Sequence, residues 1–126
     1  MMDKEMALRT IKQVLLELGI CPTLMGYEYL VECIYLCLEE QDRIHDIIHS
    51  IYEVVAEEHH TTYPRVERNI RHLIKVFADC NRIDNFNNLL HIRIYKPYEC
   101  PANGEFIAYL AEYFRMHYDF DPDDLT

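Results

Sequence analysis

The sequence predicts an all-α domain of about six helices. Apolar residues recur at i, i+3, i+4 and i+7 in one stretch after another, the spacing that lays a stripe along one face of a helix. The 3 Gly and 5 Pro of the 126 residues fall mainly between those stretches, where they punctuate rather than interrupt. Only HIRIY, residues 91–95, alternates enough for an extended piece, and it has no partner from which to build a sheet.

In chain order, MALRTIKQVLLELG sets Ile11, Val14, Leu15 and Leu18 on one face, with Gly19 as the stop and Pro22 beyond it. A second helix runs from about Gly26 to Glu40, turning Leu30, Val31, Ile34, Cys37 and Leu38 inward. A third, about Arg43 to Glu58, is expected to bury Ile44, Ile47, Ile48, Ile51 and Val55. The turn HHTT follows, and then a helix over 62–78 with Thr62 as N-cap and Pro64 in the first turn, where a missing N–H does no harm. IDNFNNLL reads as a short helix, and Asn103 as the cap of a last one reaching about His117. There is no internal repeat and no linker. One domain therefore covers residues 1–118, and 119–126, DFDPDDLT, is a solvated acidic tail.

The composition is that of a folded globular chain, with half the residues apolar and 27% charged. No apolar run approaches the roughly 18–20 residues that span a bilayer, and MMDKEMALRT lacks the apolar core of a signal peptide, so a cytoplasmic protein without a membrane partner is expected. The five cysteines, Cys21, Cys33, Cys37, Cys80 and Cys100, are odd in number and form no CxxC, which fits reduced thiols.

Charge is uneven. The formal net charge is −10, yet residues 59–82 hold 5 basic and 2 acidic side chains, while residues 1–58 hold 4 and 12. On a helix of about 100° per residue, Arg65, Arg68, Arg71, His72 and Lys75 share an arc of about 120°, and Val66, Ile70, Leu73 and Phe77 lie on the other side. One stripe can enter a core while the other presents guanidiniums outward. A major groove admits such a helix and offers guanine O6 and N7 to a bidentate arginine, and a carboxylate such as Glu67 can accept from a cytosine amino group. With the helix before it and the short turn, the segment has the plan of a helix-turn-helix. The bland alternative is an ordinary surface helix with a basic solvent face. Against it, cations at three- and four-residue spacing repel one another, so the cluster asks for a reason.

Other groupings carry less. His45, His49 and Glu53 recur every four residues beside Asp42 and Asp46, but a zinc site needs three or four converging ligands, and a solvated polar face explains them as well. His59 and His60 lie in the turn, within reach of a phosphate or serving as plain linker. Cys33 and Cys37 read as core filler. No phosphate loop, nucleophile elbow or placed catalytic pair occurs, so no enzyme, cofactor or metal is expected.

TTYPRVERNIRHLIKV, followed by RIDNFNNLL and PANGEFIAYLAEYFR, resembles the C-terminal effector domain of the stage-zero sporulation response regulator, the sporulation transcription factor of endospore-forming Firmicutes. GICPTLMGYEYLVECI resembles it too, and the similarity covers about residues 9 to 117. It implies an all-helical, winged-helix-like domain without a clear sheet that binds a short promoter box on double-stranded DNA, as a homodimer on tandem copies. It also implies that Arg65, Glu67, Arg68, Arg71 and His72 occupy the recognition-helix positions that contact bases and phosphates, and Thr62 and Lys75 are expected to meet DNA beside them. Glu57 and Glu58 stand where the family usually has lysines, Pro64 where it has a small residue, and IYKPYECPA where it has a basic loop. Each departure removes phosphate affinity. The matched region includes no receiver domain, which leaves open a fragment of a longer regulator and a stand-alone effector. A second reading stays beside the first: a protein-interaction paralogue that has lost DNA and acts on the full-length regulator or on RNA polymerase.

Overall fold

The computed structural model describes residues 2–120. Six α-helices follow one another: α1 Lys4–Leu18, α2 Gly26–Glu39, α3 Glu53–Glu58, α4 Tyr63–Asp79, α5 Ile83–Leu90 and α6 Asn103–His117. Among the described residues there is no strand.

α1 begins where the Asp3 carboxylate accepts from the Met6 amide at 2.9 Å. It ends at Gly19, whose φ of 95° is left-handed, so that Ile20 N–H can donate back to the Leu15 carbonyl at 3.0 Å. Glycine adopts that conformation without the Cβ penalty, as the stop signal required. α2 is apolar nearly all round and is accordingly the central helix, packed against α1, α4 and α6. Its expected inner residues Leu30, Val31, Ile34, Cys37 and Leu38 are all buried. Four phenylalanines, Phe77, Phe86, Phe106 and Phe114, are the bulkiest fully buried side chains of the core. Phe86 stacks on Phe106 with centroids 4.8 Å apart, and Phe77 meets the same ring edge-on at 5.8 Å.

The third expected helix is not continuous. Residues Gln41–Asp46 wind as a 3₁₀ helix and Ile48–Tyr52 as a π-helix, and only Glu53–Glu58 is α-helical. The apolar stripe narrows accordingly. Ile51 and Val55 are buried, Ile44 and Ile47 half-buried, and Ile48 is 39% exposed. Arg43 supplies a physical reason. Its Nη1 donates to the Ser50 carbonyl at 2.8 Å while Nη2 meets Glu39 at 3.1 Å, so a side chain enters the backbone ladder. Such insertions shift helical hydrogen bonding by a residue.

The loop between α5 and α6 is held by one buried residue. The Asn87 amide oxygen accepts from the Ile94 and Tyr95 amides at 3.0 and 3.1 Å, and its nitrogen donates to the Tyr95 carbonyl at 2.7 Å. HIRIY is therefore fixed by a side chain, not by pairing with a strand. Of the expected tail, Asp119 and Phe120 are described, and the Phe120 ring lies against Phe114 and Tyr118 at 6.3 and 6.1 Å. Residues 121–126 lie outside the described residues.

Candidate nucleic-acid interface

α3, the turn 59–62 and α4 form the helix-turn-helix. α3 buries Val55 and Ala56 and exposes Glu57 and Glu58. Thr61 N–H donates to the Ala56 carbonyl at 2.9 Å, and His60 turns the chain with a φ of 54°. The turn is tied to α2 as well. His59 Nε2 pairs with the Glu32 carboxylate, and its ring meets Tyr29 edge-on at 5.0 Å. Sequence reasoning offered His59 to phosphate or to a plain linker; the structure engages it with α2.

α4 starts one residue after Thr62, which has the extended backbone of an N-cap but no side-chain capping bond; its carbonyl accepts from the Arg65 and Val66 amides. Pro64 sits in the first turn, as expected. Val66, Ile70, Leu73 and Phe77 are buried, together with Ile74 and Ala78. The opposite face exposes Arg65, Arg68, Arg71, His72 and Lys75, so all the basic residues of the stripe share one accessible surface.

Those residues are not electrostatically equal. Arg71 pairs with Glu67 one turn back, and Lys75 donates to Asp79 at 2.9 Å. The Asp79 hydrogen bond, and then its charge, raise the Lys75 pKa. Arg65 and Arg68 have no ion-pair partner among the described residues. Glu67, expected to face a base edge, is half-buried with its carboxylate engaged by Arg71. The ridge thus carries two unpartnered guanidiniums and two cations already bound to acids of their own helix.

Asn103 went unrecognised as part of this region. It is the first residue of α6, with no capping bond, and its Nδ2 donates to the Glu67 carbonyl of α4 at 2.9 Å. An asparagine ahead of an apolar run signals a cap, and nothing local signals a partner 36 residues earlier. His49 and Glu53 form an ion pair at 3.2 Å, and no group of three or more His, Cys, Asp or Glu able to hold a metal ion occurs among the described residues. All five cysteines are free thiols. Burial raises the Cys33 pKa well above the ordinary thiol value and pushes Cys37 to about 11, so both stay protonated at neutral pH.

An all-α domain with a helix-turn-helix, whose second helix exposes arginines on its outer face, has the form of a DNA-binding domain. Residues 11–114 match the family described as Sporulation initiation factor Spo0A C terminal, and the chain belongs to that family. It is a DNA-binding effector domain of the sporulation initiation factor type, a family of transcription regulation. Among the described residues no helix is long and apolar enough to cross a membrane.

Proposed function

We propose that this chain is a sequence-specific transcriptional regulator that places residues 62–78 in the major groove of a promoter box. The observation that carries the reading is the pair Arg65 and Arg68, exposed and, among the described residues, without ion-pair partners on a helix whose other face is buried. Both are available for bidentate contact with guanine O6 and N7. Arg71 and Lys75 must exchange Glu67 and Asp79 for phosphate, so they serve the backbone together with His72 and Thr62. Glu67, released by that exchange, can accept from a cytosine amino group. The homodimer on tandem boxes belongs to this proposal, as does action in the cytoplasm.

The exposed Glu57 and Glu58 beside the turn favour a second reading, in which the fold is kept for protein contact with the full-length regulator or RNA polymerase. Carboxylates at that edge repel phosphate and lower the whole domain's affinity for DNA. Fluorescence anisotropy against a labelled duplex carrying the family's box and a scrambled duplex, over a salt series, separates the two. The first reading expects tighter binding to the box and a steep fall with salt. Equal affinity for both duplexes, or no binding at low salt, would favour the second.

A further inference from the structure

Two contacts from distant parts of the chain reach the backbone of α4 on either side of Arg68. The Glu67 carbonyl accepts from Asn103 Nδ2 at 2.9 Å. At residue 69, α4 lies directly against Gly26. A Cβ there would stand 2.8 Å from the Asn69 carbonyl carbon and 3.1 Å from Leu73 Cβ, closer than ordinary contact, and would also overlap the Asn69 carbonyl oxygen. Asn103 and Glu67 also share the lining of one small cavity with Tyr52, which is buried in the π-helical segment. Three elements therefore meet α4 at successive points of its first half: α2, the π-helix and the start of α6.

Local rules account for neither residue. Gly26 is the first residue of α2 and its φ is not left-handed, so the closeness of α4 is what argues for glycine there. Asn103 begins α6 yet gives its side chain to another helix instead of capping its own. A local choice that disagrees with its own element is expected where function or a special approach demands it.

We infer that Gly26 and Asn103 are positioning residues for base readout: they fix the depth and rotation of α4, so that Arg65 and Arg68 meet base edges in register. The inference rests on α4 being the helix that reads DNA. Its physical basis is the difference between the two kinds of contact. Attraction between a cation and phosphate falls slowly with distance and tolerates a small shift of the helix. A bidentate hydrogen bond needs both N–H groups within about 3.2 Å and well aligned, and does not. A helix that moves loses discrimination before it loses charge-driven affinity.

The test compares wild type with Gly26→Ala, Asn103→Ala and Asn103→Asp, which replaces the donating amide with a carboxylate. Asn85→Ala is the control: Asn85 Nδ2 donates to the Leu18 carbonyl at 2.8 Å, a bond of the same kind that joins α5 to α1. Each is measured by anisotropy on box and scrambled duplexes across salt, with a thermal melt to confirm folding. Gly26→Ala and Asn103→Ala are expected to lower the box-to-scrambled affinity ratio about tenfold, with scrambled binding and its salt slope unchanged. Asn85→Ala keeps the ratio while losing melting temperature. If Gly26→Ala does not fold, the two Asn103 variants carry the comparison. Folded variants that keep the wild-type ratio, or an equal loss in Asn85→Ala, overturn the inference while the reading of α4 stands. A wild type that does not prefer the box removes that reading itself.

Discussion

α4 and the segment 41–58 are neighbours in the chain, and each carries apolar residues at helical spacing, yet they fold differently. α4 is one uninterrupted helix of 17 residues with its apolar face buried and its basic face exposed. The segment before it passes from 3₁₀ to π to α within 18 residues and leaves Ile48 outside. Both follow the rule that apolar spacing marks the inward side. They differ in what their charged residues do. The cations of α4 stay on its surface, whereas Arg43 bends inward to a backbone carbonyl with only 20% of its side chain exposed. Periodicity reports which side faces the core, and it does not report the hydrogen-bond register that holds the helix together.

The largest effect tests that narrowing directly. Ile51 and Ile48 look equivalent in the sequence, but Ile51 is wholly buried. Ile51→Ala should cost about 2–5 kcal/mol of unfolding free energy in urea. Ile48→Ala, on the exposed side, should stay within about 0.5 kcal/mol. Equal costs would mean that the segment is a regular helix after all. In α4 the decisive change is Arg68→Ala, expected to weaken box binding by about 1–3 kcal/mol while leaving the urea midpoint unchanged. An equal loss on the scrambled duplex would reassign Arg68 from base to phosphate.

What the sequence discloses follows the range of the interaction. Gly19 as a stop, Pro64 in a first turn and the short helix Ile83–Leu90 depend on near neighbours, and each was legible. So was the basic face of α4, because a helix wheel needs only the helix itself. Asn103 was read as a cap and Asn87 was passed over, since their partners are set by how helices and loops cross. His59 likewise found Glu32, 27 residues away. The division of the ridge into free and paired cations had a local signal in the four-residue spacing of Glu67 to Arg71 and Lys75 to Asp79, yet the choice of rotamer that closes each pair belongs to the folded surface.

Arg43 is the next point at which the two regions can be driven apart. Arg43→Met keeps the aliphatic length but withdraws the donor from the Ser50 carbonyl, and it should lower stability by about 1–2 kcal/mol without changing the box-to-scrambled ratio. A changed ratio would mean that the irregular segment governs α4 through Tyr52 and Asn103. Smaller still is Glu67→Gln, which releases Arg71. Binding to the scrambled duplex should tighten modestly, with a salt slope steeper by about one phosphate contact, while the box-to-scrambled ratio falls because the acceptor for a cytosine amino group is lost. An unchanged ratio, with both duplexes bound more tightly, would mean that Glu67 only restrains Arg71 and reads no base.

The smallest expected effect lies at the joint between the π-helix and α3. His49 Nδ1 stands 3.2 Å from the Glu53 carboxylate. That hydrogen bond, then the charges of Glu53 and Asp46, raise the His49 pKa above the usual 6.5. A raised folded-state pKa favours the protonated native form. Its stabilising contribution is complete below the unfolded value of about 6.5 and is lost as pH rises through the folded value. The pair is exposed to solvent, so the contribution is small and screened. The difference in urea midpoint between wild type and His49→Gln should therefore be greater at about pH 6 than at about pH 8. A difference that does not vary with pH would show that protonation of His49 adds nothing at this joint, leaving the Arg43 bond to Ser50 as the contact that sets the irregular winding apart from α4.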